Sequence, residues 1–192
     1  MSESWRPVVD YADSYAVSDR GNVQSIERTV SWGAGVRHLA ARMLTLKRNP
    51  SGYAQVDFWR QGRRETRLVH IAVLEAFAGP CPEGFECRHL NGVPSDNRWP
   101  ENIAWGTKVA NYADAVRHGT ASRGERCGTS KLTALDVIRV LTRLAGGETG
   151  RSIAHSYGVT PAAISAIRRG KNWKHLASRE AYYARAREVL GA

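Results

Sequence analysis

Two apolar periods divide this chain. From Met43 to Val69 the runs MLTLKRN, YAQVDFWR and RRETRLV alternate apolar and polar residues, the period of a strand with one buried face. Asn49-Pro50-Ser51-Gly52 and Gln61-Gly62 lie between the runs and carry turn chemistry, so the spacing predicts a three-stranded antiparallel meander. After Thr133 the spacing is helical over Thr133 to Leu144, Thr149 to Tyr157 and Thr160 to Arg169, with breaks at Gly146-Gly147 and Gly158-Val159. The expectation is an α+β fold: small antiparallel sheets in the first part, followed by an all-α domain.

The remaining segments fit around these two parts. Val8 and Val9, Tyr15 and Val17, then Val23 make short β-type runs, and Asp19-Arg20-Gly21-Asn22 supplies a turn, which predicts a small element within residues 1–30. Residues 29–41 hold Trp32, Gly33 and Gly35 with no clear period and read as a loop or irregular excursion. His70 to Phe77 has helical spacing stopped by Gly79-Pro80, and Lys108 to Arg117 is a short helix ending around Gly119. Residues 121–131 (ASRGERCGTSK) are polar and without period, the composition of a flexible linker. The predicted organisation is therefore an N-terminal element at 1–30, a module at 43–118, a linker at 121–131 and a helical module at 132–192.

Charge narrows the partner. The 192 residues include 28 Lys and Arg against 18 Asp and Glu, a net charge of +10, which favours a polyanion over an acidic small molecule. Of these, 13 basic and 5 acidic residues lie in 123–192, so the helical part carries +8 and is the expected electrostatic anchor. Cys81, Cys87 and Cys127 match neither a zinc ribbon nor a disulfide framework. With no secretory leader pattern and no apolar run of about 20 residues, the expectation is a cytoplasmic protein that does not meet a membrane.

The densest polar segment is Glu86 to Asn111, ECRHLNGVPSDNRWPENIAWGTKVAN. Hydrolysis of a phosphodiester needs a base for water and positive charge for the phosphate and the departing oxygen. His89 titrates near neutrality and suits the base. Asn111, on a helix after the motif, can offer an amide oxygen to a hard cation such as Mg²⁺.

The segment resembles the ββα-metal motif of HNH nucleases, with His89, Asn97, Arg98, Glu101, Asn102, Trp105, Gly106, Thr107 and Asn111 where that family places such residues. The resemblance extends upstream over about residues 5 to 118, whose opening is similar to the modular element of phage homing endonucleases. It implies His89 as general base, Asn111 as ligand of Mg²⁺ or Mn²⁺, Asn102 as a hydrogen-bonding support of His89 or its loop, and His70 in a structural or supporting role. One position departs from the pattern: Arg88 stands where better-studied members carry a metal-binding Asp. An arginine cannot ligate a cation, so either Asn91 or Asp96 substitutes, or the metal is held weakly, or catalysis is impaired. With a weakly held metal, Arg88 is expected to act on the scissile phosphate.

Lys47, Arg48, Arg60, Arg63 and Arg64, with Trp59 and Tyr53 between them, suit phosphate contacts beside a groove, although a solvated sheet face explains them equally well. Residues 131–176 resemble a helix-turn-helix of the resolvase or homeodomain-like kind: Gly158-Val159 is the tight turn and Thr160-Pro161 opens the recognition helix. Ile164 and Ile167 would face the core, leaving Thr160, Ala162, Ser165, Arg168, Arg169 and, beyond the helix, Lys171 for DNA. The expected function is site-specific, metal-assisted cleavage of double-stranded DNA by a monomer without a small-molecule cofactor. The rivals are a DNA-binding regulator or packaging-associated protein on an inactive HNH scaffold, and an RNA-binding protein, which the few exposed aromatics beyond Trp59 and Tyr53 disfavour.

Overall fold

Strands β1 (Trp5–Pro7), β2 (Tyr15–Ser18) and β3 (Val23–Ser25) pair antiparallel in that order. Strands β4 (Arg28–Trp32) and β5 (Gly35–Leu39) make a separate hairpin, and β6 (Arg42–Met43) returns to pair with β3. This computed structural model describes residues 2–176 and contains two units, Met1–Thr120 and Ala121–Ala192. The part of the expected helical module beyond residue 176 lies outside the described residues.

The β4–β5 hairpin replaces the irregular excursion expected over residues 29–41. Its register runs from Arg28 opposite Leu39 to Trp32 opposite Gly35, and Gly33 takes the positive φ of 58° that the tight turn requires. Most of β5 is exposed, with Val36 at 78%. With little of that strand against a core, no alternation of polarity marks it in the sequence.

The meander is formed by β7 (Lys47–Arg48), β8 (Ala54–Arg60) and β9 (Arg63–Leu68) in that order. Met43, expected at its start, belongs to β6. Ala54, Val56 and Phe58 are buried on one face of β8, the period-two pattern seen in the sequence. Helix α1 (Val69–Ala78) follows and buries Val69, Ala72, Val73, Leu74 and Phe77. These residues share a single core with Val8, Tyr11, Tyr15, Val17 and Val23 of the N-terminal element. The Tyr11 and Tyr15 rings lie 5.1 and 4.8 Å from that of Phe58, and the Tyr11 hydroxyl donates to Glu65 at 2.7 Å. Apolar side chains buried to this degree contribute about 1.5–3 kcal/mol each, so residues 1–30 depend on the meander and α1 for their own burial.

In the second unit Leu132 and three helices enclose a separate core. Helix α3 (Ala134–Ala145) opens with a capping box between Thr133 and Asp136, and Thr149 and Thr160 cap α4 (Gly150–Ser156) and α5 (Pro161–Arg168). Val137, Val140, Ile153, Ala154, Ile164 and Ile167 meet inside, and Gly158 turns between α4 and α5 at φ 61°. The segment expected as a linker is ordered within this unit. Gly124–Arg126 form a 3-10 turn, Glu125 accepts from the Ala134 amide at 3.1 Å, and Lys131 donates to the Gly158 carbonyl at 3.3 Å. Polar residues that satisfy helix ends have the same composition as a solvated linker, which is why the sequence pattern does not separate the two. Among the described residues no helix is long and apolar enough to cross a membrane.

Candidate active site

Strands β10 (Phe85–His89) and β11 (Ile103–Thr107) pair antiparallel, Phe85 opposite Thr107 and His89 opposite Ile103. Helix α2 (Lys108–Arg117) starts at once, over the range its spacing predicts, with the Thr107 hydroxyl accepting from the Ala110 amide at 3.2 Å. Successive side chains of β10 leave on opposite faces. Glu86 and Arg88 meet α2, whereas Cys87 and His89 turn toward the core and α1.

On the core side, the His89 ring stands 4.9 Å from that of His70, at 89° to it, and 5.6 Å from Tyr53. Nε2 of His89 and Nδ1 of His70 are buried without a hydrogen-bond partner. Burial lowers the His89 pKa below the ordinary imidazole value, opposed by the neighbouring Asn97 side chain and by the charge of Asp96. His70 is more deeply enclosed, and burial with some help from His89 lowers it to about 4. Both imidazoles are therefore neutral at pH 7. Burial likewise pushes the Cys87 thiol up to about 12.

On the helix side, the Asn111 amide nitrogen donates to Glu86 Oε1 at 2.6 Å. Arg88, expected to act on the scissile phosphate, is paired with Asp114, Nε and Nη2 both reaching Oδ2 at 2.8 and 2.7 Å. Asp114 also takes Arg117 on Oδ1 at 2.6 Å, and its side chain is only 4% exposed. A buried carboxylate needs such partners, and it draws the Arg88 guanidinium onto α2. Glu86, His89, Lys108, Asn111, Asp114 and His118 line part of one cleft of about 460 Å³.

The loop between the strands is fastened from inside. Asn102, 2% exposed, accepts from the Asn91 amide at 2.8 Å and donates to the Asp96 carbonyl at 2.6 Å. Asn91 and Asp96, the positions considered for a substitute metal ligand, are occupied with each other and with Arg98: Asn91 Nδ2 donates to Asp96 at 2.7 Å, and Arg98 grips both Asp96 oxygens at 2.8 and 2.7 Å. The hydrogen bonds from Arg98 hold the Asp96 carboxyl at about 2. Neither residue lines the cleft. The carboxylate that does lie beside Asn111 is Glu86, which sequence reasoning missed; the available signal was its place two residues before Arg88 on the same strand face. An amide oxygen and a carboxylate are the hard donors that a divalent ion such as Mg²⁺ prefers, so the residues present fit such an ion.

The other candidate residues are spread out. Lys47 pairs with Asp57 at 2.6 Å and shares the open face of the meander with Trp59 and Arg64, since residues directly opposite in register share a face. Arg48, Arg60 and Arg63 sit at strand ends on the alternate positions, and Arg60 reaches the Asp10 carbonyl at 3.0 Å. In the second unit Ile164 and Ile167 are buried, while Thr160, Ala162, Arg168, Arg169 and Lys171 are exposed. Ser165 is half-buried and accepts from Arg169 at 2.6 Å, and the Thr160 hydroxyl caps its own helix.

A family model described as HNH endonuclease matches residues 67–113, which take in α1, β10, β11 and the start of α2. This chain carries an HNH endonuclease domain. A second model, the NUMOD4 motif, matches residues 3–59. Protein 7.7 of Escherichia phage T7 is 28% identical over 151 residues, 79% of this chain and 100% of that protein. The DNA endonuclease I-HmuI of Bacillus phage SP01 is 27% identical over 116 residues, 60% of this chain and 59% of that enzyme. The solved structure described as "DNA binding and cleavage by the HNH homing endonuclease I-HmuI" has the same fold, with a TM-score of 0.50 at 19% identity over 87% of this chain and 90% of that one. The HNH endonuclease domain makes this protein a nuclease.

The place of Arg88 gives a stability prediction for the HNH domain. Arg88→Ala leaves buried Asp114 with Arg117, whose side chain is 62% exposed, and should cost about 2 kcal/mol. Urea denaturation followed by tryptophan fluorescence reads this unit, which holds Trp5, Trp32, Trp59, Trp99 and Trp105. An unchanged midpoint would show that the pair does not hold α2.

Proposed function

We propose that the protein is a site-specific DNA endonuclease of the homing type, using Mg²⁺ or Mn²⁺ with His89 as general base. The observation that supports this most is that one strand, β10, sets an unpartnered neutral imidazole and a Glu86–Asn111 oxygen-donor pair around one cleft. I-HmuI is a DNA endonuclease whose solved structure is described as showing DNA binding and cleavage, which supports DNA as the substrate here.

In this reading His89 takes a proton from the water whose oxygen bonds to phosphorus, and the 3′ oxygen leaves with the bond it loses. Its depressed pKa keeps it unprotonated at neutral pH, and Asn97 and Asp96 favour the imidazolium that forms. Glu86 and Asn111 would hold the divalent ion, which supplies positive charge for the phosphate and the leaving oxygen. Lys108, at the start of α2 and on the cleft wall, is placed to attract the phosphate. Arg88 is a positioning residue, acting through Asp114 on the helix that carries Asn111. Asn102 keeps the loop after His89 in shape.

The second unit is read as a helix-turn-helix that selects the target. Helix α5 would enter the major groove, with Thr160, Ser165, Arg168, Arg169 and Lys171 toward DNA. Lys47, Arg48, Arg60, Arg63 and Arg64 would contribute sequence-independent phosphate contacts.

A supercoiled-plasmid assay with and without Mg²⁺ tests the chemistry. His89→Ala should slow cleavage by about 10²- to 10⁴-fold while DNA affinity stays within a few-fold. Equal loss of binding and cutting would make His89 structural, and wild-type binding without any cutting would favour a regulator on an inactive scaffold. A chain ending at Thr120 should still cut but lose selectivity, and its log affinity should fall less steeply with log salt. An unchanged slope would remove the second unit from the DNA interface.

A further inference from the structure

His89 also belongs to a second, different set of donors. One ring nitrogen of His70, one of His89 and Sγ of Cys87 all lie within 4.8 Å of one another. They sit on the side of β10 opposite Glu86 and Arg88. The set is assembled by simple geometry: Cys87 and His89 are two apart on one strand face, and His70 is the second residue of α1. Two of its members are unsatisfied. Nδ1 of His70, in a residue 5% exposed, and Nε2 of His89 are buried with no hydrogen-bond partner, and the Cys87 thiol has only a 3.8 Å contact with the Arg88 carbonyl. Unmade hydrogen bonds of buried groups are costly, and such groups call for an explanation.

Two imidazoles and a thiol are the donors of a zinc-class ion. With Zn–N near 2.0–2.1 Å and Zn–S near 2.3 Å, tetrahedral ligand atoms stand about 3.5 Å apart, so closing this set moves side chains by about 1 Å. Cys87 and His89 also line the cleft, which gives a fourth position access to water. Mg²⁺ prefers oxygen and discriminates against such a site.

We propose that His70, Cys87 and His89 form a binding site for a thiophilic divalent cation of the zinc class, distinct from the Glu86–Asn111 pair, and that its occupation silences the nuclease. On binding, the Cys87 thiol gives its proton to solvent and the sulfur ligates as thiolate. The silencing rests on His89 being the general base, since a nitrogen held by a cation cannot accept a proton from water.

Co²⁺ is the probe, added to the full chain carrying Cys81→Ser and Cys127→Ser. One Co²⁺ per chain should produce near-ultraviolet thiolate-to-cobalt absorption, displaced by Zn²⁺, absent after Cys87→Ser and weakened at least about tenfold in affinity by His70→Gln. No such band, or a band that survives Cys87→Ser, overturns the site. As a check that needs no substitution, alkylation of Cys87 in the unaltered chain, read by mass spectrometry, should be slowed about tenfold by Zn²⁺ and not by Mg²⁺; equal rates also overturn it. In the plasmid assay, Zn²⁺ added to Mg²⁺ should reduce wild-type cutting at least about tenfold, and the ratio of rates with and without Zn²⁺ should return close to one in Cys87→Ser. A Cys87-dependent cobalt band without loss of cutting would keep the site and overturn His89 as the base.

Discussion

Neighbouring side chains in a strand must leave on opposite faces, and the candidate site is organised by that constraint acting on five residues, Phe85–His89. It sends Glu86 and Arg88 to α2 and Cys87 and His89 toward α1, while Glu86 and His89 both reach the wall of the one cleft. Such a division works only if α2 is held against β10. Asp114, buried between the Arg88 and Arg117 guanidiniums, supplies the hold, and the cost of burying a carboxylate explains why two cations converge on it. Gly106, opposite Glu86 on β11, belongs to the same arrangement: the Arg88 stem lies over it, and a β-carbon there would collide with Arg88 Cδ.

The loop beyond His89 depends on the NUMOD4 segment. Gly21, at φ 82°, packs so closely that a β-carbon on it would stand 2.6 Å from that of Asn97, and the Trp99 amide donates to the Asp19 carbonyl at 2.7 Å. Asn97 is the neighbour of His89 that opposes the effect of burial on its pKa. The N-terminal element thus reaches the titrating imidazole through one turn, in addition to sharing the core of β8 and α1.

Much of this was legible in the sequence, for identifiable physical reasons. The helix over Lys108–Arg117, the alternation in β8 and the positions of His89, Asn102 and Asn111 are local patterns, readable within a few turns of chain. Glu86 was not legible, because its significance comes from a contact with a residue 25 positions later. Nor was the conversion of Arg88 from phosphate contact to clamp, which requires Asp114 to be buried. The β4–β5 hairpin left little pattern because it buries little, and the union of residues 1–30 with the meander was hidden because apolar alternation does not name the surface it will meet. His70, Cys87 and His89 are scattered over 20 residues of sequence and become a donor set only when α1 crosses behind β10.

The central claim is that the two faces of β10 carry separable functions, and one measurement addresses it directly: the single-turnover cleavage rate as a function of both pH and Mg²⁺, for the wild type and Glu86→Gln. Since burial lowers the His89 pKa, the wild-type rate should fall on acidification with a midpoint below the ordinary imidazole value of about 6.5. Glu86→Gln should raise the Mg²⁺ concentration for half-maximal rate at least about tenfold and leave that midpoint in place at saturating Mg²⁺. An unchanged Mg²⁺ requirement in Glu86→Gln, or an acid limb centred above 6.5 in the wild type, would contradict the account.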